Sequence, residues 1–135
     1  MSAAADPRVS LTTPAKAEYL VCFRLVLVGL ARAGGIDEET LSDLKLAVTE
    51  ACSNSVRHAY RDGGGSVTGR FELGDDYVAV EVEDDGSGFE LEPAGEPGSP
   101  PPGLGLSIIR ALTEDFLVSP GEDGRGSLVS FRKPI

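Results

Sequence analysis

The sequence predicts an α+β fold: a two-layer α/β sandwich with helices on one face of a mixed, mainly antiparallel sheet. Two segments with helical apolar spacing fill most of the N-terminal half. Two pairs of short alternating strands follow, with a short helix between them. The element order β-α-α-β-β-loop-α-β-β matches such a sandwich.

Each element has a local reason. Residues 9–12 read as a short opening strand. Thr13 and Pro14 read as a helix N-cap followed by proline at the first helical position. That helix is expected to run to about Ala33, with Tyr19, Leu20, Phe23, Leu27 and Leu30 as its apolar stripe and Gly34-Gly35 as its end. Asp37 is expected to cap a second helix reaching about Tyr60, with Glu38 and Glu39 at its positive end. Leu41, Leu44, Val48, Cys52, Ser55 and Ala59 form its core-facing stripe. Residues 66–73 and 77–83 read as a hairpin around Gly74-Asp75-Asp76. In its second strand Val78, Val80 and Val82 share one face, and Glu81 and Glu83 the other. Residues 84–102 are rich in Gly, Pro and acid, and a stretch this long is usually functional or mobile. A helix over 105–112 and a hairpin of 116–119 with 127–133 close the chain.

The 135 residues fit one domain spanning 1–135, with residues 1–8 expected to be disordered. With 41% apolar and 25% charged residues, the chain can build a core, which excludes wholesale disorder. The apolar stretch 19–31 is interrupted by Arg24 and is too short to span a bilayer. Residues 1–7 carry no basic region and no apolar signal core, so a cytoplasmic protein with no membrane association is expected. Cys22 and Cys52 fall in helical patterns and read as buried small hydrophobes. One histidine, His58, without paired cysteines argues against zinc. A net charge of −10 argues against nucleic acid, yet leaves ATP open, because Mg²⁺ and backbone N–H groups neutralise phosphates locally.

Three features carry chemistry, each weak alone. Glu50 and Asn54 lie one helical turn apart, within roughly 40° of each other, with Arg57 near the same line. They are either a solvated face or a metal-ligand amide beside a carboxylate base. Asp84-Asp85-Gly86-Ser87-Gly88 follows an alternating strand. It is either a turn or a fixed acceptor for an adenine amino group, with Gly86 and Gly88 letting the backbone approach the base. Gly103-Leu104-Gly105-Leu106 opens a helix whose free N–H groups suit phosphate. Neither of the two commonest phosphate-loop patterns occurs.

In this order the three features resemble the N box and two G boxes of the GHKL ATPases, the superfamily of gyrase, histidine kinases and MutL, with its Bergerat ATP-binding fold. Pro14-Ala15, Glu18-Tyr19, the run Asp43-Leu44-Lys45-Leu46-Ala47-Val48 with Glu50-Ala51-Cys52 and Asn54, and His58-Ala59-Tyr60 resemble the bacterial anti-sigma serine kinases of the RsbW and SpoIIAB type. Gly126-Ser127 with Val129 resembles that family's closing Gly-Thr strand. The resemblance runs from about Val9 to Lys133.

The resemblance implies a histidine-kinase-like ATPase domain that is a protein serine kinase and anti-sigma factor. Asp84 would bind the adenine amino group, supported by Ser127. Asn54 would hold Mg²⁺ against the phosphates of ATP. Gly103, Leu104 and Gly105 would contact phosphates through their backbone, under a lid formed by residues 89–102. Glu50 would be the catalytic base that deprotonates a serine on an anti-anti-sigma protein. The other partner would be a sigma factor, and the kinase would be a homodimer. The lid carries five prolines and no Lys or Arg, and Pro102 stands where some relatives have a basic residue. Arg57 is a candidate replacement. An ATP-binding, partner-sequestering module with little kinase activity therefore stays open as the alternative.

Overall fold

Alternation decides the middle of the chain. In β2 (Ser66–Leu73) and β3 (Tyr77–Asp84) every second residue is buried, because successive side chains of a strand point to opposite faces. Val67 and Phe71 of β2, and Val78, Val80 and Val82 of β3, all face the helices and are at most 1% exposed. The computed structural model describes residues 7–61, 65–85, 104–121 and 126–135.

Five strands form one sheet in the order β1-β2-β3-β5-β4, where β1 is Arg8–Pro14, β4 is Glu114–Pro120 and β5 is Ser127–Pro134. All four neighbouring pairs are antiparallel, so no parallel pair occurs among the described strands. Helices α1 (Leu20–Gly34), α2 (Glu38–Arg61) and α3 (Leu104–Leu112) make the second layer. Between the layers, Phe23 and Leu27 of α1, Leu44 and Val48 of α2, Ile109 of α3 and Phe131 of β5 are buried. Each such side chain contributes roughly 1.5–3 kcal/mol by leaving water. The opposite face of the sheet is polar. There Arg70 bridges to Glu83 at 2.7 Å, and Arg132 lies 3.8 Å from the Tyr77 ring centroid.

Thr13 and Pro14 correct the sequence reading. Both belong to β1, opposite Val67 and Ser66, and do not start a helix. An edge strand tolerates proline because the missing N–H has no ladder bond to make. Lys16 stays extended, and a 3-10 turn at Ala17–Tyr19 leads into α1. The other helix ends follow expectation. Gly35 takes a left-handed conformation (φ 67°), and the Ile36 N–H reaches the Ala31 carbonyl at 3.0 Å. Asp37 Oδ1 accepts the Thr40 N–H at 2.7 Å, which holds the Asp37 carboxyl below its ordinary pKa. The strand β1 begins at Arg8, inside the stretch expected to be disordered, while residues 1–6 lie outside the described residues.

α3 packs antiparallel to α2, fastened at one end by Lys133 of β5. Its Nζ donates to Asp43 Oδ2 at 3.0 Å and to the Leu112 carbonyl at 2.7 Å. One side chain thereby ties the sheet, the first half of α2 and the end of α3.

Candidate functional site

The alternation that buries Val78, Val80 and Val82 turns Asp84, two residues further, to the same side. A carboxylate thus closes an apolar row, 3% exposed. β5 repeats the device: Ser127, Val129 and Phe131 share the helix-facing side. Asp84 and Ser127 stand directly opposite each other, and Ser127 Oγ donates to Asp84 Oδ2 at 2.6 Å. The strand pairing therefore builds a preformed, buried acceptor. Its neighbour Asp85 has a different job: it accepts both the N–H and the hydroxyl of Ser66, at 2.8 and 3.2 Å, and pins the start of β2.

Gly126 makes the pair possible. Its φ is +68°, and a Cβ there would run into the Asp84 carbonyl oxygen. Only a residue without a side chain lets β5 begin this close to the end of β3.

α2 supplies the second half of the site. Leu44, Val48, Cys52 and Ser55 form its sheet-facing stripe, all at most 1% exposed. Burial in this apolar stripe pushes the Cys52 thiol up to about 12. Glu50 and Asn54 lie on the neighbouring stripe, both half-buried. Asn54 Nδ2 is buried and meets no hydrogen-bond partner among the described residues. Glu50 reaches α3: a Cβ on Gly105 would lie 2.7 Å from Glu50 Oε2. Glycine at 105 thus lets the first turn of α3 settle against the carboxylate. The positive dipole end of α3 lies at that turn.

These elements place Asp84 and Ser127 together at the sheet end, and bring Glu50 and Gly105 together at the start of α3. Asn54 lies one turn along α2 from Glu50. Its amide oxygen and the Glu50 carboxylate are hard donors of the type Mg²⁺ takes while keeping several of its waters. Leu104 is the first residue of α3. Arg57 is exposed on α2. Gly86, Gly88, Gly103 and the lid over 89–102 lie outside the described residues, as does the side chain of His58. The sequence reading did not foresee Gly126 as a steric requirement.

Known proteins resemble this chain in sequence and in fold. The family described as histidine kinase-like ATPase domain matches residues 13–133. A serine-protein kinase RsbW from Listeria innocua is 36% identical over 120 residues, covering 80% of this chain and 76% of that protein. An RsbW serine-protein kinase from Bacillus cereus is 33% identical over 122 residues, covering 82% and 76%. A solved structure of the RsbU and RsbW domains of a Mycobacterium tuberculosis protein superposes with a TM-score of 0.67 at 22% identity, covering 94% of this chain and 32% of that one. The histidine kinase domain of a blue-light activated kinase from Erythrobacter litoralis gives 0.57 at 24% identity, covering 99% and 65%. At those identities the two structures establish a shared fold, and the sequence relatives establish the family. With 36% identity across most of both proteins and a family match over residues 13–133, the chain belongs to the histidine kinase-like ATPase family, among its RsbW-type serine-protein kinases.

Proposed function

We propose that this chain binds Mg-ATP, transfers the γ-phosphoryl group to a serine of an anti-anti-sigma protein, and in the alternative complex holds a sigma factor inactive. The observation that carries the reading is the approach of Glu50 to the first turn of α3 at Gly105; the buried Asp84–Ser127 pair stands at the facing ends of β3 and β5. This reading assigns a general base, a phosphate-binding helix end and an adenine-recognition carboxylate to one nucleotide site.

Asp84 accepts from the adenine amino group, and the Ser127 hydroxyl holds the carboxylate in position. The N–H groups of Leu104 and Gly105, with Gly103 before them, meet the phosphates. Asn54 holds Mg²⁺, which supplies charge neutralisation on the phosphate oxygens. Arg57 lies further along the same helix and is a candidate for the same charge. Glu50 takes the proton from the substrate serine as its oxygen bonds to the γ-phosphorus. The bond from that phosphorus to the β–γ bridging oxygen breaks, and ADP leaves with the electron pair. No described helix is long and apolar enough to cross a membrane. A cytoplasmic homodimer is the working assembly of this reading.

The test is Glu50→Gln, with labelled ATP, Mg²⁺ and the candidate anti-anti-sigma proteins of the same genome. Shape and ATP affinity should be retained while phosphorylation falls by roughly 10²–10⁴-fold, the usual contribution of a positioned base. A loss confined to affinity would make Glu50 a residue that orients metal or water. A wild type that never phosphorylates any candidate, while ATP still alters partner binding, would make the chain a nucleotide-sensing clamp.

A further inference from the structure

The helix-facing row of β5, Ser127, Val129 and Phe131, runs one step further to Lys133. Lys133 stands opposite Val78, a core residue, and its side chain is 17% exposed. Lysine is rarely buried this far unless its charge is paired. Here the pairing is divided between two helices. Nζ donates to Asp43 Oδ2 of α2 at 3.0 Å and to the Leu112 carbonyl of α3 at 2.7 Å. A partly buried ion pair is by itself weak evidence of a stabilising device, because apolar side chains of similar volume often hold a core as well. What an apolar side chain cannot do is fix two helix positions to one donor group.

The last turn of α3 is fastened by side chains. Thr113 Oγ1 donates to the Ile109 carbonyl at 2.6 Å, and Lys133 places its charge at the negative end of the helix dipole. α3 has nine residues, so it is a short rod of about 13 Å at 1.5 Å per residue. A direction set at its last turn is felt at its first. There is little slack at the first turn, where a Cβ on Gly105 would lie 2.7 Å from Glu50 Oε2. Asp43, the other partner of Lys133, lies on the same helix as Glu50. One cation thus refers α3 and the helix that carries Glu50 to a common point on β5.

We infer that Lys133 is a positioning residue of the nucleotide site: through Leu112 and Asp43 it sets α3 so that its first turn receives the outer phosphates of the nucleotide. The inference rests on the nucleotide-binding reading above and extends it to a residue at the opposite end of α3. Lys133 acts through the helix and does not touch the nucleotide. Its removal frees the last turn of α3, the rod tilts about the buried Ile109, and the N–H groups of Leu104 and Gly105 leave their phosphate positions. The Asp84–Ser127 pair belongs to the strands and keeps its place.

The experiment is competition calorimetry in Mg²⁺ buffer on wild type, Lys133→Met and Asp43→Asn, with ATP and with AMP, which keeps the adenine and lacks the two outer phosphates. Lys133→Met retains an apolar stem and loses the charge and both donated bonds. It should bind ATP about tenfold more weakly, the worth of one charge-assisted hydrogen bond, and bind AMP within about twofold of wild type. Asp43→Asn keeps the link to Leu112 and loses the ion pair. It should show the same selective loss at smaller size, and it carries the comparison if Lys133→Met does not fold. Unchanged ATP affinity in the folded variant that carries the comparison overturns the inference and leaves the nucleotide site standing. Equal losses with ATP and AMP would make Lys133 a residue that only holds the fold, and also overturn it. A wild type that binds neither nucleotide, or binds ATP no more tightly than AMP, overturns the nucleotide-binding reading itself, and the inference with it.

Discussion

Gly105→Ala should raise stability and lower activity at once. A methyl group at 105 would sit 2.7 Å from Glu50 Oε2, and ordinary contact begins at 3.4 Å. The carboxylate must retreat by about 0.7 Å, and it can, because Oε2 is the far end of a flexible side chain. The helix itself gains, since alanine replaces glycine within α3, by roughly 0.5–1 kcal/mol. Catalysis loses, because a misplacement of about 1 Å can cost on the order of 10²-fold in rate. The assay pairs a thermal melt with single-turnover phosphorylation of the partner protein under saturating Mg-ATP. The expected result is a higher melting temperature with a rate reduced by about one to two orders of magnitude. If Gly105→Ala turns over at the wild-type rate while Glu50→Gln is inactive, Glu50 acts from a position that the first turn of α3 does not set. The coupling between base and phosphate helix would then be wrong.

Asp84→Ala removes a buried charged acceptor, worth about 1.5–3 kcal/mol, so calorimetry should find ATP binding weakened by roughly tenfold or more. Unchanged affinity with the fold intact would remove Asp84 from the site. Asp37→Ala should melt below wild type at neutral pH, because Asp37 Oδ1 caps α2 through the Thr40 N–H. The folded carboxyl titrates below its ordinary value of 3.8, so this contribution is full above that value and disappears as pH falls through the lower folded one. Melts of both proteins across acid pH should converge there, and a gap that persists would point to a cause other than the carboxylate. Thiol titration at pH 8 should modify half-buried Cys22 first, because Cys52 is buried and its thiol, pushed up to about 12, stays protonated. Equal rates would mean that α2 opens locally on the timescale of the reagent.

Strand parity made half of the site legible in advance. Once Val78, Val80 and Val82 are assigned to the core face, Asp84 must share it. The same rule turns Ser127 inward beside Val129. Helix spacing likewise set Glu50 and Asn54 on one stripe. What stayed hidden depends on contacts between distant elements. The fit of Gly105 against Glu50 joins positions 55 residues apart, and no local pattern encodes it. Gly126 stood out in the sequence only through its resemblance, with Ser127, to a closing Gly-Thr strand; its close approach to Asp84 follows from the pairing of β3 with β5. Thr13-Pro14 was misread because proline suits both a helix start and a strand edge, and only the partner strand decides between them.

α3 meets α2 at two places: Gly105 approaches Glu50 closely at one end, and Leu112 is joined to Asp43 through Lys133 at the other. Gly105 and Leu112 are seven positions apart, and so are Asp43 and Glu50. The two spans are rungs of equal length running in opposite directions. Their length is therefore part of the design, whatever their composition. One residue inserted or deleted within either span would shift an end by about 1.5 Å and rotate it by about 100°. It would break one tie or the other. Surface loops can change length freely, while this seven-residue ruler cannot, and any redesign of this helix pair must substitute within it and leave its count untouched.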